Sequence, residues 1–524
     1  MKFDNYEKEL TDKIIVYTKR YDNKYIVYFK TIIHCFTKML NIPTIRIPNR
    51  CVDTVEKLPD EIFRIAVRLE GGLGDIIVYS LWVKEFSKFI KEEFKIDVFP
   101  SSNTLISKAA FKEGSIVNKI YNADCFKKNI ENYDIAIAFR RFPYIVYYNN
   151  KKLTNKSANL QSLIDKYNQF QQENMKFFTD SSYDTLIDLY SICRGEKRIQ
   201  QPDIGGLLHI DNNTKLYLPL KNESFEILDK YNLKCNGYIT LTRSIDLAFN
   251  QNGNIRLWPL NYYEELIIKL KKKYPDIKFV QLGVPRCEEI KGVDVNLLGK
   301  TDLEEVKAIL KHSLLHIDGE CGMVHVKHFL HGKSVVLFGQ TAIEYLGYDN
   351  NINLKSNACS HWCEWIADDW QTRCIRGYEQ APCMVELKPQ YVFEKIVSYL
   401  DSVVYKCEKH LVVKEYDDVK SYFIQNHVCD KRIIFYGKEF YDIAKTVAGN
   451  NNTVAVYDEK LDNDLIHEAR ILKITVDYGD IYNIPEENDS IDIFVCNSFN
   501  SSINEKYALE EIKRVAGELI LKKA

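Results

Sequence analysis

The stretch from Ile317 to Thr341, IDGECGMVHVKHFLHGKSVVLFGQT, restricts the fold more than any other part of the chain. The apolar Leu314, Leu315 and Ile317 lead into Asp318-Gly319-Glu320-Cys321-Gly322. A helical stretch from Met323 to about Leu330 follows, Gly332 breaks it, and Ser334 to Phe338 (SVVLF) reads as a buried strand ending at Gly339. Strand, acidic glycine loop, helix, strand is one half of a nucleotide-binding α/β unit. In open α/β sheets, ligands bind in the crevice at the carboxyl ends of the strands. The free N–H groups of a helix start at that crevice can hold a diphosphate, and a carboxylate there can accept hydrogen bonds from sugar hydroxyls.

Related units occur elsewhere. Phe63 to Leu69 (FRIAVRL) reads as a strand, Glu70-Gly71-Gly72-Leu73-Gly74-Asp75 as a glycine loop, and Ile76 to Ile90 as a helix by the spacing of its apolar residues. Asp75 falls at the expected N-cap. GGLGD lacks the full dinucleotide fingerprint, so from spacing alone an Asp that merely caps the helix is a better reading than a catalytic one. Lys95 to Val98 and Tyr133 to Phe139 are further strands; Arg140-Arg141 then fits either a solvated turn or an anion contact. Later come the strand Gly237 to Thr242, the loop Ile255-Arg256-Leu257-Trp258-Pro259, a helix from Tyr262 to Tyr274 with one apolar face, and the strand Ile277 to Leu282. The loop Gly283 to Glu289 sits at the carboxyl end of that last strand. Thr301 or Asp302 should cap a helix from Leu303 to Lys311.

The chain carries 14 cysteines, four of them crowded at 359, 363, 374 and 383. Four thiolates on an irregular loop can wrap one tetrahedral metal ion, and soft sulfur ligands select zinc or iron. Free thiols or two disulfides are the alternatives. A net charge of −2 argues against a nucleic-acid partner. The polar start of the sequence and the lack of an 18-residue apolar run imply neither signal peptide nor transmembrane helix, hence a cytoplasmic protein, in which structural disulfides are rare.

ECGMVHVKHFLHGKSVVLFGQT resembles the C-terminal signature of the family 9 glycosyltransferases, the ADP-heptose heptosyltransferases. The strand followed by LGD, the basic-x-Trp-Pro motif at Arg256 to Pro259, and Leu297 to Leu303 match further motifs of that family, in order, over roughly Phe63 to Leu400. The resemblance implies a GT-B type α/β fold with two Rossmann-like domains facing a cleft. It assigns Asp75 as the base that deprotonates the acceptor, with Gly72 and Gly74 in the loop beside it. Arg256, where the family usually has Lys, would contact donor phosphate. Glu288, preferred over Glu289, would contact the nucleoside. Glu320 would lie near the sugar, Gly322 near the diphosphate and His325 close to the donor, with Thr341 brought back toward the cleft. His325 equally fits a helix residue bonded to a backbone carbonyl. Cys321 stands where the family often has Thr. The pattern C-x3-C…C…CM is similar to the iron finger of the bacterial autotransporter heptosyltransferases, a branch of that family, and implies iron; four thiolates by themselves accept zinc as well.

The expected organisation is a small N-terminal module (1–60), with short strands or mixed segments at Ile14 to Tyr17, Tyr25 to Phe29 and Thr44 to Ile47. An acceptor-side domain (61–230), a donor-binding domain (231–400) with the finger at 359–383, and a further Rossmann-like domain (405–524) follow. In the last, Gly437-Lys438-Glu439 lacks the second and third glycines, which points to a degenerate, noncatalytic module. The expected function is inverting transfer of a sugar, heptose by resemblance, from a nucleotide donor to a hydroxyl on a protein or surface glycan, with no organic cofactor and with a homo-oligomer as an open possibility. Two alternatives stand beside it: a noncatalytic nucleotide-sugar-binding scaffold, and a bifunctional protein whose last domain methylates the product.

Overall fold

The computed structural model describes residues 55, 61–101, 104–179, 183–243, 254–359, 362–367, 369–403 and 410–523. The strands expected within 1–60 lie outside these residues. The chain divides into two compact units, one holding the described residues up to Ile76 together with 92–173, the other holding 77–91 and the described residues from 174 onward.

In the first unit, β1 (Phe63–Leu69), β2 (Phe94–Pro100), β3 (Lys119–Ile120), β4 (Ile135–Arg140) and β5 (Phe142–Tyr148) form one sheet in the order β3-β2-β1-β4-β5. All pairs are parallel except β4 with β5. Arg141 makes the hairpin between those two at φ 62°, so the Arg140-Arg141 pair is a turn followed by a strand that the sequence reading lacked. Ile65, Val67, Ile135 and Ile137 are almost wholly buried, as the continuous apolar runs of a covered parallel sheet require.

The second unit contains two all-parallel sheets. The central one is built from β6 (Tyr238–Leu241), β7 (Lys278–Gln281), β8 (Val295–Asn296), β9 (Leu315–Gly319), β10 (Ser334–Phe338) and β11 (Ile352–Lys355), in the order β11-β10-β9-β6-β7-β8. This is the doubly wound order, and chain direction across the sheet reverses between β6 and β9. A crevice opens at the carboxyl ends of strands at such a point. The core beneath it gathers Ile239, Leu241, Trp258, Tyr263, Leu266, Ile317, Val335 and Leu337. Helix Leu260–Lys273 buries Tyr263, Leu266, Ile267 and Leu270, the face read from the sequence. Asp302 rather than Thr301 caps helix Leu303–His312, in a reciprocal capping box with Glu305.

The C-terminal sheet uses β12 (Val412–Tyr416), β13 (Arg432–Tyr436), β14 (Thr453–Asp458), β15 (Thr475–Tyr478), β16 (Ile491–Asn497) and β17 (Ala516–Lys522), in the order β12-β17-β16-β13-β14-β15. From the sequence, Ile471 to Val476 (ILKITV) reads as a strand. Instead the helix Asn463–Ile471 runs to its first residue and the strand starts at Thr475, because Ile471 projects into solvent at 83% exposure.

Cys125 is disulfide-bonded, a bond the sequence reading treats as rare in a chain of this kind; spacing along the chain does not reveal the spatial neighbour of an isolated cysteine. The other described cysteines are free. Among the described residues no helix is long and apolar enough to cross a membrane.

Candidate functional site

Two polar loops converge at the carboxyl ends of β6 and β9. Leu241 runs into Thr242 and Arg243, and Gly319 into Glu320 and Cys321. With the loop before helix Leu260–Lys273 and the residues after β10, they line a shallow, solvent-open pocket. Its walls include Arg243, Arg256, Asp318, Glu320, Gln340 and Thr341.

Arg256 is held on several sides. Its backbone N–H donates to Asn254 Oδ1 (2.9 Å), its guanidinium lies 4.9 Å over the Trp370 ring, and Nη2 donates to both the carbonyl and Oε2 of Glu320 (3.2 Å each). A planar cation stacked on an indole is oriented as well as attracted. Arg243 donates from Nε to the Trp258 carbonyl (2.9 Å) and from Nη1 to the Glu288 carboxylate. Trp258 in turn is buried and donates to the Leu387 carbonyl (2.7 Å), so its contribution is to fix Arg243. Two guanidiniums thus stand at one rim, each tied to a single carboxylate.

Beneath them Asp318 is almost fully buried. It accepts from the Gly319 N–H (2.8 Å) and from the Cys321 thiol (2.8 Å), and burial pushes its pKa up. Burial also raises the Cys321 thiol, and the Asp318 charge adds to the rise. Cys321 is the N-cap of helix Gly322–Phe329, so a thiol here donates to Asp318 across the helix start. His325, one turn into that helix, shares a hydrogen bond of 2.6 Å with the Tyr348 hydroxyl at Nδ1 and lies 3.8 Å from Glu320 at Nε2. His328 stacks on Tyr348 at 3.5 Å.

The structure therefore brings Arg256, Glu320 and Thr341 into one pocket. Gly322 opens the adjoining helix, His325 stands behind Glu320, and Glu288 reaches the pocket through Arg243. Gln340 lines the pocket beside Thr341, as the loop carrying both toward the cleft implies, while Arg243, Asp318 and Tyr348 are part of the arrangement without having been assigned a role from the sequence. Arg243 carried a usable signal, being the first charged residue after a buried strand. Asp318 stood in the key motif beside the more conspicuous Glu320.

Asp75, Gly72 and Gly74 lie in the other part of the chain. Helix Leu73–Phe89 begins two residues before Asp75, which makes Gly72 the cap position and corrects the expected placement of Asp75. The Asp75 carboxylate folds back to accept the Gly72 N–H (3.1 Å). Gly71 has φ 115°, and a Cβ there would come 2.4 Å from Asp75 Oδ2; only glycine allows the carboxylate this approach.

Cys359, Cys363, Cys374 and Cys383 all line a second pocket of about 290 Å³ with Ile255, Gln340 and Arg376. All four are buried. Burial followed by the neighbouring cysteines raises Cys363 to about 11 and Cys383 to about 12. Among the described residues no three His, Cys, Asp or Glu side chains are already grouped to hold a metal ion. The donor set is chemically suited to iron or zinc, while the sulfurs surround a space rather than closing on a point. Gln340 is common to both pockets: its Nε2 donates to the Ile255 carbonyl (3.0 Å) and its carbonyl accepts from the Cys363 N–H (2.8 Å).

Residues 251–374, which hold most of this site, match the sequence family described as glycosyltransferase family 9 (heptosyltransferase). With that match the protein is a glycosyltransferase. Among solved structures it is similar to the ADP-heptose lps heptosyltransferase II of E. coli, at 14% identity over 65% of this chain and 99% of that one, with a TM-score of 0.38. It is also similar to the iron-containing dodecameric glycosyltransferase TibC of enterotoxigenic E. coli, at 12% identity over 66% and 79% of the two chains and a TM-score of 0.42. A third is E. coli heptosyltransferase WaaC with ADP-2-deoxy-2-fluoro heptose, at 13%, 64% and 100%, with a TM-score of 0.36. No curated protein matches the chain.

Proposed function

We propose that this glycosyltransferase moves a heptose-type sugar from an ADP-sugar to a hydroxyl of a protein or surface glycan, with inversion at the anomeric carbon. The observation that carries the reading is the pocket at the β6/β9 crevice, where two oriented guanidiniums, a helix N-terminus and two carboxylates converge. Diphosphate is the ligand such a set suits best.

On donor binding, Arg256 exchanges its Glu320 partner for a phosphate oxygen, and the freed carboxylate accepts from sugar hydroxyls. The Gly322 end of the helix faces the same charge. Glu288 orients Arg243 and contacts the nucleoside, Thr341 lines the sugar side, and His325, fixed by Tyr348, supports Glu320. Asp75 takes the proton of the acceptor hydroxyl as its oxygen attacks the anomeric carbon. The carbon–oxygen bond to the β-phosphate breaks, and ADP leaves with the electron pair. Arg256 and the helix amides stabilise the charge that grows on the leaving diphosphate. Gly72 and Gly74 keep the backbone beside Asp75 free of side chains.

Cys359, Cys363, Cys374 and Cys383 would hold one iron or zinc ion as a closed set of four thiolates. With no open position, the ion's contribution is structural: it fixes the segment that carries Trp370 and adjoins Gln340.

The hydrogen bond from Gly72 to Asp75 also supports the capping alternative. Asp75→Asn separates the two, because the amide oxygen can still cap while the base is lost. Titration calorimetry with ADP-sugars together with turnover of Asp75→Asn tests the whole reading; native turnover in that variant removes Asp75 as the base.

A further inference from the structure

The C-terminal sheet domain, residues 412–522, grips the carboxyl ends of two helices whose first turns carry Asp75 and Gly322. The first is helix Leu73–Phe89. Asp477, buried in the C-terminal domain, faces Lys84 Nζ at 3.3 Å and Lys88 Nζ at 2.9 Å, while Glu85 pairs with both lysines. Despite its burial, these two cations hold the Asp477 carboxyl below its ordinary range. Just past the helix, the Ile90 carbonyl accepts from Asn463 Nδ2 (2.9 Å) and meets His467 Nε2 (3.2 Å).

The second is helix Gly322–Phe329. Asn483 Nδ2 donates to the Phe329 carbonyl (3.0 Å) and to the Leu218 carbonyl (3.1 Å). Lys311 Nζ donates to the Leu330 carbonyl (3.1 Å), and is itself held by Asn483 Oδ1 (3.0 Å) and Glu511 Oε1 (2.9 Å). The last carbonyls of a helix have no partner within it, and a cation there is stabilised by the negative end of the helix dipole.

We propose that the C-terminal domain is a positioning brace: through Asp477 and Asn463 it sets the helix that begins beside Asp75, and through Asn483 and Glu511 it sets the helix that begins at Gly322. The contacts are directional, buried at Asn483 and part-buried at Asn463, Lys88 and Lys311, and helices transmit displacement along their axes with little bending. A domain of nucleotide-binding topology thus serves the reaction without binding the substrate. The link to catalysis rests on the proposed function above; the grip itself does not.

Full-length Asn463→Ala and Asn483→Ala variants test the proposal by hydrogen-exchange mass spectrometry, without any ligand, alongside ADP titration and turnover. Asn463→Ala should speed exchange of amides 76–79, lower kcat about 10-fold and leave ADP affinity unchanged; a misplacement of about 1 Å has effects of this order or larger. Asn483→Ala should speed exchange of amides 326–329, weaken ADP binding about 10-fold and raise donor KM more than it lowers kcat. Glu511→Asp, which keeps the charge, should reproduce a milder form of the second pattern. Faster exchange confined to residues 412–522 overturns the brace, as does helix loosening with both kinetic constants and ADP affinity unchanged. If the native protein binds no ADP, the functional reading fails, and the exchange data alone still uphold or overturn the grip.

Discussion

The central sheet and the C-terminal sheet share the order of five strands, the C-terminal sheet adding β12 from ahead of them at one edge, yet their carboxyl edges are built for opposite ends. In each, a first strand (β6 or β13) lies beside the fourth (β9 or β16), the arrangement that opens a crevice. In the central sheet Arg243, Arg256 and Glu320 line an open pocket there. In the C-terminal sheet the corresponding groups are spent on one another. The Glu439 carboxylate bonds Asn497 and lies 2.6 Å from where a Cβ on Gly437 would be. Asp458, at the end of β14, accepts the Lys438 N–H (2.8 Å) and the Lys460 N–H (2.9 Å), and Lys438 Nζ pairs with Asp462 (2.9 Å). The acidic residue that could meet a ribose is occupied in holding its own loop. A shared topology supplies the crevice; the residues placed at it decide whether it is a site or a seam.

The sharpest way to break the contrast is chemical. Asp75→Asn should lower turnover by about 10²–10⁴-fold, the usual worth of a general base, with ADP affinity intact, whereas Asp458→Asn in the C-terminal sheet should leave turnover unchanged. Steady-state kinetics on both variants checks this.

The seam side should respond in stability. Glu511 is buried; burial alone would raise its pKa, but Arg514 and Lys311 hold it down to about 2. A depressed carboxyl contributes stability that is present above its unfolded value, near 4.5, and lost as pH falls toward 2. Glu511→Gln should therefore cost about 3–5 kcal/mol near neutral pH, since it leaves Lys311 buried with less compensation. The difference from the native protein should shrink as pH drops from about 4.5 to 2. Denaturant titrations across that range measure it.

Metal removal should have a smaller effect than either. Bound iron or zinc at one equivalent per chain is expected, and stripping it, or Cys374→Ser, should lower the melting temperature. It should also weaken ADP binding by about 10-fold, because Gln340 walls both pockets. Elemental analysis with calorimetry on the same sample gives both readings.

The smallest effect should come from opening the seam. Glu439→Ala should change stability by less than about 0.5 kcal/mol and create no affinity for ADP, since no guanidinium of the C-terminal sheet replaces Arg256.

The two sheets also differed in how well the sequence displayed them. SVVLF and GYITLT are continuous apolar runs bounded by glycine or polar loops, and β10 and β6 follow them closely. The one-sided spacing of Tyr263, Leu266, Ile267 and Leu270 likewise marked its helix. By contrast β11 is a half-polar edge strand, INLK, whose side chains are mostly part-exposed. At the opposite edge of the C-terminal sheet, β12 leaves Val412 and Val413 exposed. β17 begins at Ala516 directly after a helix ending at Val515, with no breaker between them, so the sequence does not mark that boundary. At the site, motif residues such as Arg256 and Glu320 stood out through the family resemblance. Tyr348, ten residues past β10 and joined to His325 only in space, offered no such mark.

Calorimetric titration of ADP-heptose into the full-length protein and into Arg256→Gln and Asp458→Asn tests the open-crevice assignment most directly. One site per chain is expected in the native protein and in Asp458→Asn. Arg256→Gln should lose about 1.5–3 kcal/mol of binding free energy, the worth of a hydrogen bond to a charged group. Undiminished binding in Arg256→Gln, binding lost in Asp458→Asn, or no binding to the native chain would contradict the assignment of the β6/β9 crevice as the donor site.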